Sequence, residues 1–431
     1  MRIHLPYGKE TRSIDIPERH ILGILKPPQV ERLLDEEEVI RAALENPIGT
    51  ARLRSIARGK RRIAIIVSDA SRPNIERKVL PLLLEELRET GIRPEDVTCV
   101  IGTGAHRAAT QAEIIDRLGP ELARRTNVII HSSTAGPLVN LGHTSQGYPI
   151  HVNEAVVQAE VKVAVGVVLP HPIAGYSGGG KGLLIGVGGA ETITSTHTPE
   201  ILEHPGTGLG MIDKNPFYQA ALEAARMLPL DFIVNAVVDE RGKIIDITSG
   251  DVSLAHRALI ERTADRAFKV PFPAPADIVI VAPGPPKDSN LYHAIAEGVC
   301  VVAGDALPVS CVKKGGTVIL VAPMEEGIYN ESLYLYLADR GPAAVVERAR
   351  REGVSEPGEH RAFGVAKVLL DAEVVVAEPC MDPNIFPSIH MRSFPSLEEA
   401  FRYARNKHGP DYRVLAFAYS HRLIPILQGR G

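Results

Sequence analysis

The sequence predicts an α/β protein built of two α/β domains with mainly parallel sheets. Short runs rich in Val and Ile alternate with amphipathic stretches of helical period, as is typical of parallel strands covered by helices. At 431 residues, the chain is too long for a single compact core. A cluster of prolines within residues 268–279 interrupts the alternation of strands and helices, so we place one domain at 1–271 and the other at 272–431. The last strand or tail of the chain can return to the first domain.

The apolar runs give the elements in order. The N-terminal residues predict an opening strand or hairpin, and residues 79–91 predict a helix with Gly91 at its end. Residues 231–251 predict a hairpin, because a Gly-containing turn separates two apolar runs. The remaining predicted strands, which share a Val- and Ile-rich composition, cover residues 61–69, 95–104, 126–133, 161–170, 276–284, 315–323, 372–379 and 412–420.

The amino-acid composition limits the classes of molecule that the protein is expected to bind. There are 48 basic and 52 acidic residues, and no cluster of Lys and Arg suits a nucleic acid or an anionic membrane. No apolar run approaches the roughly 20 residues of a membrane span. The four cysteines are scattered without a CxxC pair, which disfavours a zinc site or disulfide framework and indicates a reducing cytoplasm. We therefore expect a cytoplasmic protein that binds small molecules.

Polar side chains follow three of the predicted strands. Asp69 and Arg72 follow the first strand, His106 the second and His171 the fourth. Taken singly, an aspartate there is typically a helix cap, and a lone histidine is typically structural. Parallel strands deliver such residues to one edge of a sheet, where ligands bind. Two histidines across a cleft suit proton transfer, and the guanidinium of Arg72 fits a carboxylate.

A glycine-rich segment, HPIAGYSGGGKGLLIG at residues 171–186, fits seven of the eight positions of the phosphate-loop pattern. Gly182 occupies the eighth position, where that pattern needs a hydroxyl for Mg²⁺, and the five residues PHPIA at 170–174 lie between the apolar part of the predicted strand and Gly175. A degenerate phosphate loop remains one interpretation. The other is that the glycines admit a flat ring, while Lys181 serves as a nucleophile for covalent cofactor attachment. His197 follows nearby, and by itself is a weak metal ligand.

Several segments together resemble the nickel-dependent lactate racemase family of 2-hydroxyacid racemases and epimerases. The resemblance spans nearly the whole chain and agrees in order and spacing. It is carried by LPYGK near the start, NPIGT at 47–51, SDASRP, GTGAHR, HPIAGYSGGGK, STHTPE and PKDSNLYHA. It implies an active-site cleft between the two domains.

The resemblance also implies a cofactor, the nickel pincer nucleotide, a sulfur-modified pyridinium mononucleotide attached to Lys181 through a thioamide. His197 is implied as the protein ligand of nickel, and His106 and His171 as the paired acid/base groups that act while hydride moves between the substrate Cα and the cofactor. The remaining residues implied at the site are Asp69, Ser177, Gly178, Gly179 and Tyr292 for the cofactor, and Arg72 and His293 for the substrate. Cofactor-building proteins are implied as transient partners, and a recombinant protein made without them is expected to lack the cofactor.

The chain departs from this family at two positions. Lactate racemases carry Gln directly after the tyrosine of the NLY-like segment and Lys three residues further on, where this chain has His293 and Ala296. Without that lysine, one cation near the substrate carboxylate is missing. Lys287 or His293 can take its place in binding a different acid. We therefore expect a racemase or epimerase of a larger or more polar 2-hydroxyacid, such as a sugar acid or a dicarboxylate. The alternatives are an enzyme that uses a nucleotide or phosphate ester, and a binding homologue without catalysis.

Overall fold

A computed structural model describes residues 1–30 and 35–429. Its strands, in chain order, are β1 (Arg2–Tyr7), β2 (Glu10–Asp15), β3 (Ile21–Leu25), β4 (Ile63–Ser68), β5 (Val97–Gly102), β6 (Asn127–Ile130), β7 (Leu138–His143), β8 (Pro149–Asn153), β9 (Val161–Val167), β10 (Pro170–His171), β11 (Gly175–Tyr176), β12 (Phe232–Val238), β13 (Ile244–Gly250), β14 (Lys269–Phe272), β15 (Ala276–Ala282), β16 (Val312–Val321), β17 (Glu373–Ala377), β18 (Arg392–Phe394), β19 (Val414–Ala418) and β20 (Ile424–Leu427).

The α-helices between them are mostly short. In chain order they are α1 (Glu36–Glu45), α2 (Leu53–Ile56), α3 (Glu76–Arg88), α4 (Gln111–Leu118), α5 (Pro120–Arg125), α6 (Glu154–Val157), α7 (Ala190–Ser195), α8 (Pro199–Leu202), α9 (Pro216–Met227), α10 (Leu254–Ala267), α11 (Leu291–Ala294), α12 (Cys300–Val302), α13 (Glu331–Ala338), α14 (Pro342–Glu352), α15 (Glu359–Asp371), α16 (Ile385–Ser388) and α17 (Leu397–His408). Across the described residues, no helix has the length and apolar character needed to cross a membrane.

The first sheet has the strand order β13-β12-β9-β4-β5-β6. All its neighbours run parallel except the hairpin of β12 and β13. Strands β4 and β9 are almost wholly apolar and buried, as expected for central strands covered on both faces. The predicted α/β class, the strands of this half of the chain, the hairpin and the helix α3 are confirmed.

The second sheet has the order β18-β17-β16-β15-β19-β3 and is parallel throughout. Its edge strand β3 comes from the N-terminal end of the chain, and the hairpin of β1 and β2 buries Ile3, Leu5 and Ile14 in the same core as β15. The expected first domain of 1–271 therefore differs from the observed pairing over residues 1–25. This long-range pairing leaves no local pattern in the sequence.

The proline cluster at 268–279 is also more ordered than a linker. Residues Lys269–Phe272 form β14, which pairs in parallel with the tail strand β20. Just before β20, Arg422 donates a hydrogen bond to the carbonyl of Val238 at the end of β12. The tail therefore ties the second half of the chain to the first sheet.

A buried ion pair fixes the end of β4, from which Asp69 emerges. One oxygen of the Glu76 carboxylate accepts the backbone N–H of Ser68 at 2.9 Å, and the other accepts that of Ile75 at 3.1 Å. Arg117 of α4 contacts the same carboxylate at 2.5 Å, with 5% and 0% of the two side chains exposed. Glu76 thus links the strand end to the start of α3 and to α4.

Removal of the Arg117 guanidinium is expected to be strongly destabilising. Arg117→Met leaves the Glu76 carboxylate buried without its cation, which costs about 3–5 kcal/mol of unfolding free energy. Urea denaturation followed by circular dichroism measures this loss. The matched control is Arg125→Met, which removes exposed pairs with Glu95 and Glu121 and should leave the unfolding free energy nearly unchanged, because exposed ion pairs contribute little. Equal losses for the two variants would contradict the assigned role of Glu76.

Candidate active site

The carboxyl ends of β4, β5 and β9 open into one cavity. Asp69, His106 and His171, which follow these strands, all line it, as does Arg72. The cavity has a volume of about 130 Å³, whereas a water molecule needs roughly 10–15 Å³ by the same measure. Ser177, Gly178, Gly179, Lys181, His197 and Tyr292 also line it. Of the residues expected at the site, only His293 lies outside this lining, in an adjoining pocket beside Asp69.

Asp69 and His106 form a tight pair. Oδ2 of Asp69 lies 2.5 Å from Nδ1 of His106, and Oδ1 accepts the hydroxyl of Ser71 at 2.7 Å and its backbone N–H at 3.1 Å. Burial alone raises the pKa of Asp69, but the His106 imidazole and these hydrogen bonds outweigh it and hold that pKa well below its usual value. The carboxylate therefore fixes the His106 proton on Nδ1 and leaves the lone pair on Nε2.

His171 is held in the opposite tautomer. Its Nδ1 accepts the backbone N–H groups of Ile173 at 3.2 Å and Ala174 at 3.1 Å. The proton of the neutral ring is therefore on Nε2. Burial, with further contributions from Lys181 and Arg361, lowers the pKa of His171 well below its usual value. As neutral rings the two histidines differ, because His106 has its lone pair on Nε2 and His171 has its proton there.

Lys181 begins a π-helical turn, Gly182–Gly186, directly behind the glycine-rich loop. Burial lowers the pKa of its amine to about 7, and the cations Arg72 and Arg361 contribute to the same shift. A substantial fraction of the amine is therefore neutral near pH 7, which is the nucleophilic form. π-Helical turns are common at functional sites.

The glycines of the loop are required by the protein's own packing. A Cβ at Gly178 would lie 2.9 Å from Oδ1 of Asn235, one at Gly179 would lie 2.9 Å from Nδ1 of His256, and one at Gly180 would lie 2.6 Å from a backbone oxygen. Gly178 also has a φ of +86°, which favours glycine. The expectation that these glycines serve only to admit a ring is therefore incomplete, although Gly178 and Gly179 do face the cavity.

The backbone of this loop differs from a phosphate cradle. The N–H of Ser177 donates to the carbonyl of Leu169 at 2.9 Å, and the N–H of Gly179 donates to Oδ1 of Asn235 at 2.9 Å. A phosphate loop instead leaves its N–H groups free for the ligand. This hydrogen bonding disfavours the degenerate phosphate loop.

His197 offers one nitrogen to the cavity. Its Nδ1 donates to the carbonyl of Ile193 at 2.7 Å, which leaves the lone pair on Nε2. Burial lowers the pKa of His197 to about 3, so the ring is neutral, the form that binds a metal ion. Within residues 1–30 and 35–429, no three His, Cys, Asp or Glu side chains are grouped so that they could hold a metal. His197 alone fits a metal whose other donors come from an organic group.

The second half of the chain supplies the opposite wall. Tyr292 lies in α11, while His360 and Arg361 lie at the start of α15, and all three line the cavity. The ring of His360 lies 4.5 Å from that of His197. Lys287 is 1% exposed, and its Nζ has no hydrogen-bond partner. The sequence analysis missed His360 and Arg361, because they follow no strand and reach the cavity only through the packing of the two halves.

The cavity lies between two α/β domains and holds histidines and a lysine of lowered pKa, together with clustered guanidinium groups. These features define an enzyme site suited to proton transfer. The chain matches the Lactate racemase N-terminal domain over residues 7–210 and the Lactate racemase C-terminal domain over residues 272–419. It belongs to the lactate racemase family, and it is an isomerase.

Two relatives align with this chain over nearly their whole length. The chain is 32% identical over 419 residues to a lactate racemase of Thermoanaerobacterium thermosaccharolyticum, and 30% identical over 422 residues to one of Lactiplantibacillus plantarum, with 96% of each chain covered. The structure of the lactate racemase apoprotein from the first organism aligns with a TM-score of 0.88 over 99% of this chain and 100% of that one, at 30% identity. A crystal structure from Thermotoga maritima, at 17% identity and a TM-score of 0.73, covers 93% of this chain and 100% of that one, and shares the fold.

The lowered pKa of Lys181 is expected to govern its chemical reactivity. Acetylation of Lys181 in the apoprotein, measured by peptide mass spectrometry, should reach half its maximal rate near pH 7, whereas a typical exposed lysine reaches half its maximal rate only near pH 10. Arg72→Met should move the midpoint to higher pH, because the guanidinium disfavours the charged amine. Arg226→Met, on the far end of α9, is the matched control and should leave it unchanged. A wild-type midpoint near pH 10 would contradict the lowered pKa.

Proposed function

We propose that this protein is a racemase or epimerase of a 2-hydroxyacid that works with a nickel pincer nucleotide attached to Lys181. Membership of the lactate racemase family supports the racemisation of a hydroxyacid in general. The observation that carries the finer proposal is the combination, in one cavity, of a lysine whose pKa is about 7 and a neutral histidine with a free Nε2 lone pair.

Lys181 and His197 are the residues that would hold the cofactor. The neutral amine of Lys181 is suited to covalent attachment, and Nε2 of His197 is suited to nickel, with the remaining donors supplied by the organic ring. Ser177, Gly178, Gly179 and Tyr292 line the cavity between them. When bound, this group supplies an acceptor that takes the Cα hydrogen of the substrate as hydride and returns it.

The protein's own residues handle the proton and the carboxylate. Nε2 of His106 accepts the hydroxyl proton of the substrate, and Asp69 stabilises the imidazolium that forms. Nε2–H of His171 donates to a substrate oxygen, and an exchange of roles between the two histidines requires its Nδ1 to release the backbone N–H groups of residues 173 and 174. Arg72 orients the carboxylate through its planar guanidinium.

Substrate charge is the point at which this chain departs from its relatives. Burial and the guanidinium groups of Arg72 and Arg361 lower the pKa of both Lys181 and Lys287, and the carboxylates of Asp69 and Glu297 oppose that effect. Lys287 is buried without a partner, and a buried unpaired polar group costs about 1–3 kcal/mol. An acid with a further polar or acidic group would give Lys287 a partner, which supports a substrate more polar than lactate, such as a dicarboxylate or a sugar acid.

Substrate choice is tested with loaded enzyme and a panel of lactate, malate, tartrate and gluconate, followed by polarimetry. We expect faster inversion of a dicarboxylate or sugar acid than of lactate. Lys287→Met should raise the KM for the preferred acid about tenfold, the loss of roughly one charge-assisted hydrogen bond. Lys313→Met, at an exposed surface pair, is the matched control. Highest activity on lactate, with no effect of Lys287→Met, would contradict this assignment.

Acid/base roles are tested by substitution of each histidine. His106→Ala and His171→Ala should each lower the racemisation rate by about 100-fold or more, because general acid–base catalysis contributes this much. His143→Ala, at an exposed strand position, should leave the rate unchanged. A rate within a few fold of wild type in His106→Ala or His171→Ala would contradict its role.

Cofactor attachment is tested on protein produced together with the cofactor-building enzymes. Intact-mass and metal analysis should give added mass and nickel on the wild-type protein, no added mass on Lys181→Ala, and added mass with reduced nickel on His197→Ala. Lys162→Ala, another buried lysine, controls for lysine specificity. Wild-type protein with neither added mass nor nickel would contradict the proposal and favour a homologue that only binds ligands.

A further inference from the structure

Two imidazoles meet edge to edge beside the cavity. Nε2 of His293 lies 3.4 Å from Nε2 of His106, with the ring centroids 4.8 Å apart and the ring planes at 79°. This is hydrogen-bond distance between two nitrogens of the same type. A hydrogen bond there requires one ring to carry a proton on Nε2 and the other to offer a lone pair.

The protonation of the other ring nitrogen of His106 follows from its contact with Asp69. Its Nδ1 lies 2.5 Å from the carboxylate of Asp69, so that nitrogen carries a proton. In a neutral His106 ring, Nε2 is then a bare lone pair.

The protonation of the other ring nitrogen of His293 follows from its contact with Asn290. Oδ1 of Asn290 accepts the backbone N–H of His293 at 3.0 Å, and Nδ2 of Asn290 donates to Oγ of Ser289 at 3.1 Å, so the amide orientation is fixed. The same Oδ1 lies 3.0 Å from Nδ1 of His293, which must therefore be the donor. A neutral His293 ring would likewise present a bare lone pair at Nε2, and two lone pairs would face each other.

We propose that His106 and His293 share one proton between their Nε2 atoms, so that the acid/base group on the Asp69 side is this pair and not His106 alone. His293 is then a positioning residue that acts through His106. One proton then lies in each of three contacts: between Asp69 and Nδ1 of His106, between the two Nε2 atoms, and between Nδ1 of His293 and Asn290. The two rings together carry one positive charge, which the Asp69 carboxylate balances.

The pair gives the proton a defined path, and this use rests on the proposed function. The hydroxyl proton of the substrate moves to Nε2 of His106, and the N–H bond so formed donates to Nε2 of His293. In the reverse direction the same proton returns to the substrate oxygen. The 3.4 Å separation is that of the proton-holding form.

The surroundings set the proton affinity of the pair. Burial lowers the pKa of both rings; the cations Lys287, Arg72 and Arg361 add to this effect at His293, and the Asp69 carboxylate opposes it in part at His106. The rings of Tyr292 and Tyr329 pack against both imidazoles. Because the two rings are coupled, they should lose their shared proton in one macroscopic step.

The test uses the apoprotein labelled with ¹⁵N-histidine, without cofactor or substrate, so its outcome is independent of the proposed function. Nuclear magnetic resonance should detect a proton far downfield and a joint change of both Nε2 resonances at one pH. His293→Gln keeps a side chain of similar size without a titrating nitrogen. It should remove the downfield proton and lower the midpoint of His106 by about one pH unit, a tenfold loss of proton affinity.

A second variant does not depend on the loss of His293. Asn290→Asp keeps a side chain that caps a helix well, and its carboxylate should raise the midpoint of the pair. His20→Gln, at a buried histidine beside Tyr412, is the matched control and should leave the midpoint and the downfield proton unchanged. Independent titration of the two rings in wild-type protein, or a His106 resonance that is identical in His293→Gln, would overturn the shared proton.

Discussion

The site is organised around basic side chains that are buried beside one another. Burial and the guanidinium groups of Arg72 and Arg361 disfavour the charged amines of Lys181 and Lys287 and lower the pKa of both, while the carboxylates of Asp69 and Glu297 oppose this effect. An anion bound in the cavity would stabilise the charged form of both amines, so the cavity suits an anionic ligand. The same constraint gives Lys181 a reactive amine and leaves Lys287 without a partner.

Each histidine of the site owes its chemistry to a different neighbour on its Nδ1 atom. A carboxylate at His106 leaves an acceptor, two backbone N–H groups at His171 leave a donor, and a backbone carbonyl at His197 leaves a metal-binding lone pair. One residue type thus presents two Nε2 lone pairs and one Nε2–H group to a single cavity. The tautomers are set by the end of β4 at His106, by a turn at His171 and by helix α7 at His197.

Much of this arrangement could be predicted from the sequence. Buried parallel strands carry a clear apolar pattern, and a parallel sheet brings their carboxyl ends to one edge, so Asp69, His106 and His171 were predicted to lie together. Spacing along the chain could not give the pairing of β3 with β19, or the arrival of His360 and Arg361 from α15, because both depend on contacts between distant segments. The close approach of residues 178–180 to Asn235, His256 and a backbone oxygen is a further packing requirement for glycine, which the sequence pattern could not give because these partners are distant along the chain.

We propose that the Cα hydrogen leaves and returns as hydride within the enzyme, while the histidines move only the hydroxyl proton. The most direct measurement follows the inversion of [2-²H]-labelled hydroxyacid by loaded enzyme in ordinary water, with mass spectrometry of the separated enantiomers. Our account predicts that the inverted product keeps its deuterium at Cα. Replacement of that deuterium by solvent hydrogen at the rate of inversion would contradict it, because it would show that a base removes the Cα hydrogen as a proton.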